Sequence, residues 1–168
     1  HGHKKITVAD VVNSGYVLGF SVDGLSPHAH LSLRVDIEGT GTGIHNHLVW
    51  IQAGHSQDIM IKSTSLMYTN LYIKVISNNN NDINVYFKNT AADDDLKLMI
   101  TNYHETGVIG TSELSLGGST TTLEHLCKQG WHMSSADGAS IGDIYLNSNG
   151  SATFGGDVTI DSEVVQIN

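Results

Sequence analysis

His30-Leu-Ser-Leu-Arg-Val-Asp-Ile-Glu38 is the stretch that decides the fold. Leu31, Leu33, Val35 and Ile37 fall on one side and polar residues on the other, the period-two pattern of a strand with one wet face. The pattern returns in Leu71, Ile73 and Val75, in Ile83, Val85 and Phe87, and in Leu96, Leu98 and Ile100. His47-Leu-Val-Trp-Ile-Gln-Ala53 is apolar on both faces and reads as a central strand covered on both sides. Turn clusters separate these runs: Asn13-Ser14-Gly15, Gly39 to Gly43, Asn78 to Asn81 and Asn89 to Asp94. About seven or eight short strands at this spacing predict an all-β fold, an antiparallel β-sandwich or jelly-roll-like module over residues 4–104.

Face matching yields a register. Pairing Ile83, Val85 and Phe87 with Ile100, Leu98 and Leu96 sets inward residues against inward ones and leaves Asn89–Asp94 as a hairpin loop. It also brings Lys88 opposite Asp95 and Tyr86 opposite Lys97, so the cross-strand charges are not alike. An even register sum between the strand of Tyr72 and that of Tyr86 makes these tyrosines neighbours, or one pair removed.

Composition narrows the partners. Charged residues are 15% of the chain where about a quarter is usual, and Ser, Thr, Asn and Gly fill the difference, as in many-turned β proteins. The net charge of −9 leaves no basic stripe to displace counterions from phosphates, which argues against nucleic acid as a partner. No apolar run approaches the ~20 residues of a membrane span, so no membrane insertion is expected. One cysteine, Cys127, rules out an intrachain disulfide framework and suits synthesis in a reducing cytoplasm. Its place on an apolar stripe suits packing rather than nucleophilic chemistry.

The opening residues 1–3 read as a tag remnant, and the abrupt ends suggest an excised piece of a longer chain. After residue 104 the pattern changes. Thr121-Thr-Leu-Glu124 has the form of a capping box, with Leu123, Leu126 and Cys127 as an apolar stripe and Gly130 as a stop. It predicts a short helix within a connector over 105–139. Residues 140–168 are Gly-, Asn- and Ser-punctuated and short-stranded.

Within them, Asp143-Ile-Tyr-Leu-Asn-Ser-Asn-Gly-Ser-Ala-Thr-Phe-Gly-Gly-Asp-Val-Thr-Ile160 resembles the shaft-type repeats of bacteriophage tail fibres and tailspikes. The preceding module is similar, at the level of pattern, to the globular domains inserted in such receptor-binding proteins. The resemblance implies a homotrimer with an intertwined fibrous β segment, joined to other tail-fibre segments. It implies a virion location after synthesis in the host cytoplasm, and a role in host attachment. Physically, a strand pair such as Ile144–Leu146 with Val158–Ile160 does not bury its apolar face alone, and three chains would cover it.

Candidate chemistry falls into three groups. His28-Ala-His30 and His45-Asn-His47 each set two rings on one strand face, a geometry open to iron or zinc; the alternative is polar strand-edge histidines that bind nothing. The tail-fibre resemblance sharpens the metal reading, since some fibre tips carry repeated His-X-His pairs on an iron. Paired carboxylates for glycan cleavage would come from Asp36 and Glu38 or from Asp93 and Asp95, positions that suit solvated acids better than catalysts. The expectation is therefore a module that is not an enzyme. The third group is an outward face carrying Tyr72, Lys74, Asn84, Tyr86, Lys88 and Lys97, whose aromatic plates and cations suit a bacterial surface polysaccharide or lipopolysaccharide. Its alternatives are a purely architectural connector and, further off, a glycan-cleaving tailspike domain.

Overall fold

The computed structural model describes residues 2–24, 30–39, 47–54, 58–65, 70–91, 94–103, 107–127, 130–134, 144–146 and 152–154. The strands are β1 (Gly2–Val11), β2 (Val17–Asp23), β3 (Leu31–Gly39), β4 (His47–Ala53), β5 (Ile59–Ser65), β6 (Leu71–Asn78) and β7 (Ile83–Asn89). They continue as β8 (Asp94–Asn102), β9 (Val108–Gly110), β10 (Thr120–Leu126), β11 (Gly130–Ser134), β12 (Ile144–Leu146) and β13 (Ala152–Phe154). An eight-stranded sheet runs β1-β8-β3-β4-β5-β11-β12-β13 and a five-stranded sheet runs β10-β6-β7-β2-β9, with neighbours antiparallel throughout. The fold is all-β and sandwich-like, as the alternation predicts.

One core joins the sheets. Leu33, Val35, Val49, Ile51, Ile61, Leu96, Leu98 and Ile100 come to it from the larger sheet. Phe20, Val22, Ile73, Val75, Ile83, Val85, Phe87 and Leu123 come from the smaller one. Burial of this apolar area is the main stabilising contribution, worth roughly 1.5–3 kcal/mol for each large side chain. Phe20 and Phe87 meet with ring centroids 6.4 Å apart at 40°. Gly19 sits at a register shift in β2, where a Cβ would run into the Phe87 ring. The sandwich is pinned along both sides. Lys4 Nζ donates to the Ile109 carbonyl at 2.7 Å, linking β1 to β9, and Ser63 Oγ lies 2.7 Å from His125 Nε2, linking β5 to β10.

The β6–β7 turn follows its asparagines. Asn78 Oδ1 accepts from the backbone N–H groups of Asn80 and Asp82, and Asn81 takes the left-handed conformation, φ 62°. A short amide side chain tolerates that conformation better than most. Gly24 closes on the same turn: its N–H donates to Asp82 Oδ1 at 2.9 Å, and a Cβ there would meet the Asn81 carbonyl.

Three expectations are corrected. The hairpin pairing Ile83, Val85 and Phe87 with Ile100, Leu98 and Leu96 does not form: β7 pairs with β2 and β6, while β8 lies in the other sheet between β1 and β3. The two inward sets do belong to one core, but as opposing layers. The helix at Thr121–Cys127 is instead strand β10, antiparallel to β6. Its inward residues are Leu123 and His125, and Cys127 follows just past its end, all three buried. A helical stripe of 123, 126 and 127 competes with a strand stripe of 123, 125 and 127, and counting His125 as polar tips the choice wrongly. The β-branched run Thr120–Thr122 favours the strand. Thirdly, β4 is central but not covered on both sides: Leu48 and Trp50 remain half-buried on its outer face and Gln52 is exposed. The sheets also run on past residue 104, since β9, β10 and β11 belong to them, and Gly2 and His3 pair with Asn102 and Thr101 in β1.

Candidate functional site

Five of the six residues proposed for the outward face gather on the smaller sheet. Tyr72 and Lys74 project from β6, and Asn84, Tyr86 and Lys88 from β7. The register pairs Tyr72 with Lys88, Lys74 with Tyr86 and Ile76 with Asn84. The register sum is even, so Tyr72 and Tyr86 stand one pair removed. Lys97 is not among them. It lies on β8 in the other sheet, between Thr7 and Glu38.

A residue outside the expected set completes the face. Tyr16, just before β2, lays its ring between the two lysines. Lys74 Nζ is 4.4 Å from the Tyr16 ring centroid and 4.7 Å from that of Tyr86. Lys88 Nζ is 4.8 Å from Tyr16 and 5.1 Å from Tyr72. The order across the face is therefore Tyr72, Lys88, Tyr16, Lys74, Tyr86, rings and ammoniums alternating. Each such contact contributes about 0.5–1 kcal/mol when exposed and more when desolvated.

Carboxylates frame this ladder. Tyr86 Oη donates to Glu113 Oε1 at 2.6 Å, and burial, reinforced by Glu113, pushes its phenol up to about 12. Burial likewise raises the Tyr16 phenol, with the Glu124 carboxylate adding to the effect. Glu124 is the direct cross-strand partner of Lys74. Both phenols stay neutral at physiological pH, and that of Tyr86 acts as a donor.

The residues between β9 and β10 cross the same sheet from one edge to the other. Ser21 Oγ donates to the Ser112 carbonyl at 2.7 Å. Asn84 Nδ2 donates to the Leu114 carbonyl and Asn84 Oδ1 accepts from the Leu114 N–H, both at 2.9 Å. Asn84 is thus buried and its amide is engaged, so it offers nothing to a ligand. Its expected role is corrected to that of a clamp on this strap.

His28 and His45 lie outside the described residues. His30 is exposed ahead of β3, whereas His47 is buried on the inward face of β4. Among the described residues no group of three or more His, Cys, Asp or Glu side chains is placed to hold a metal ion. Cys127 is fully buried, and burial raises its thiol, which keeps it protonated.

Tyr16, Glu113 and Glu124 are the residues missed by face counting on the two central strands. Glu124 was hidden by the helical reading, and Tyr16 and Glu113 lie outside regular strands, where alternation says nothing. Comparison with protein-family models, curated proteins and solved structures finds no match.

Proposed function

We propose that this chain is a non-catalytic β-sandwich module of a virion fibre of the tail-fibre or tailspike type. It would be built in trimers and contribute to attachment to bacterial surface glycan. The observation that carries this reading is the way the chain leaves the sandwich. Beyond β5 the larger sheet is extended by β11, β12 and β13, with Ile144 opposite Phe154 and Leu146 opposite Ala152. β12 and β13 fall in the segment that resembles fibre-shaft repeats. A ribbon of three-residue strands is not stable by itself, and neighbouring copies would supply the missing cover.

Two observations support a role without catalysis. The buried Ser63–His125 pair is sealed from solvent at 0% and 2% exposure, and Asp36 is engaged by Arg34 Nη2 at 3.0 Å. A second reading, an architectural connector, is favoured by the ladder on the smaller sheet. Its rings already hold ammoniums, Asn84 is engaged, and Lys97 is on the other sheet. On that reading Tyr72, Lys74, Tyr86 and Lys88 fasten the face rather than bind sugar.

Sedimentation tests the assembly: the intact chain should run at three times its 18.0 kDa mass, and a chain ending at residue 139 as a monomer. A stable monomer of the intact chain at micromolar concentration overturns the fibre reading. Adhesion is tested separately, by binding of the intact chain to bacterial cells and purified surface polysaccharide. Tyr86→Ala with Lys74→Ala decides between the readings of the smaller sheet. Loss of binding by a folded variant marks a glycan contact, and unchanged binding marks architecture.

A further inference from the structure

The outer face of the larger sheet carries a different constellation. Trp50 projects outward from β4, in register with Arg34 of β3 on one side and Lys62 of β5 on the other. Lys62 Nζ lies 5.6 Å from the Trp50 ring centroid. Arg34 Nη2 donates to Asp36 Oδ1 at 3.0 Å, and both side chains stay about two-fifths exposed, at 42% and 41%. The next row along the strands is Ser32, Gln52 and Met60, about 7 Å away by strand geometry. There the sheet end opens into a shallow cleft of about 370 Å³ whose rim includes His30, Ser32, Gln52, Gly54, Asp58 and Met60.

We propose that this face is a binding platform for an anionic saccharide, with a sugar ring on Trp50, its acidic group at Lys62 and its chain running into the cleft. Trp50 and Leu48 belong to the most apolar strand of the sheet, yet both keep surface on the outer face. Apart from Leu48 and Met60, the neighbours of Trp50 on this face are hydrogen-bonding heads: guanidinium, ammonium, amide, hydroxyl and carboxylate within one or two positions. A flat apolar plate ringed by donors and acceptors matches a pyranose, which presents a C–H face and a rim of hydroxyls. An apolar protein partner would ask for a contiguous hydrophobic patch instead.

Charge selects the anionic class. In a chain of net charge −9, four of the eight basic residues, Lys5, Arg34, Lys62 and Lys97, stand on this one outer face. Arg34 is engaged by Asp36, and Lys97 has Glu38 as its cross-strand neighbour. Among the described residues Lys62 has a ring and no carboxylate as its close contact, which leaves its charge for a ligand. Asp36, its charge offset by Arg34, and Asp58, on the cleft rim, can accept sugar hydroxyls.

This deepens the adhesive reading by naming a surface and a ligand class, and its test separates the two. The intact chain is titrated with hexameric oligogalacturonate, maltohexaose and a short DNA oligonucleotide, following backbone amide resonances. Oligogalacturonate should shift residues 49–51 and 61–63. Trp50→Ala should weaken binding about tenfold and Lys62→Gln about fivefold, while Thr7→Ala, on the edge strand β1 of the same face, leaves it unchanged. Melting of each variant checks folding, and Lys62→Gln, at an exposed position, carries the test if Trp50→Ala unfolds. Equal binding by Lys62→Gln and the unmodified chain, equal shifts with maltohexaose or DNA, or shifts confined to Tyr72 and Tyr86 would overturn the platform. If the chain binds cells but neither variant changes that, adhesion stands and the platform fails. If it binds neither cells nor any saccharide, both fail.

Discussion

The Tyr86–Glu113 bond is short and charge-assisted, and it ties the β9–β10 strap to β7. It also sets a pH dependence. In the folded chain the phenol is raised to about 12 from the ordinary 10, so the folded state keeps a proton that the unfolded chain releases first. The associated stability is complete below pH 10 and is lost as the pH rises from about 10 to about 12. Tyr86→Phe should therefore cost about 1 kcal/mol at neutral pH and lose less melting temperature across that alkaline window than the parent. Every other titrating group is common to both proteins, so the difference between the two curves isolates Tyr86. An identical pair of curves would mean that the bond contributes nothing. Gly19→Ala belongs to the same scale. The new Cβ would press on Phe87 at the centre of the core, and a destabilisation of about 1–3 kcal/mol, read by urea unfolding, is expected.

At the scale of elements, alternation carried most of the strands because each buries one face, and parity alone placed Tyr72 and Tyr86 on a common side. Parity does not say whether two inward faces meet edge to edge in a hairpin or layer to layer across a core. Ile83, Val85 and Phe87 with Leu96, Leu98 and Ile100 satisfy both, and the loop between them is long enough for the chain to change sheets. That one ambiguity moved Lys97 to the wrong face. His125 misled in another way: a buried histidine bonded to Ser63 reads as a polar break, which turned a strand into a helix. The ladder was half legible, since Tyr72, Lys74, Tyr86 and Lys88 follow from strand parity, whereas Tyr16 reaches the face from a turn. The crossover has a direct test. Glu38→Cys with Lys97→Cys places two thiols on register partners of β3 and β8, and a disulfide should form on mild oxidation. Tyr86→Cys with Lys97→Cys places them on opposite outer faces and should not. Efficient closure of the second pair would restore the hairpin and dismantle the sandwich.

For the whole molecule, the question is where the module ends. A boundary at residue 104 leaves eight strands and most of the large apolar residues, enough by composition for a core. It also removes β9, β10 and β11, and with them the edge partners of β2, β6 and β5. Leu123 and Cys127 would leave the core, the Lys4–Ile109 and Ser63–His125 links would be cut, and Ser21 and Asn84 would lose the strap that satisfies them. A buried polar group left without its partner costs about 1–3 kcal/mol, and each deleted core side chain a similar amount. Several such losses together rival the 5–15 kcal/mol by which a domain of this size is stable. Residues 1–104 should therefore fail to melt cooperatively and should aggregate through bare strand edges. Residues 1–134 keep every strand up to β11 and should melt in one transition with the circular dichroism of a β protein. The comparison needs only the two truncations and a thermal scan. A cooperative transition for 1–104 close to that of 1–134 would show that the strap and β10 merely decorate a core that is already complete.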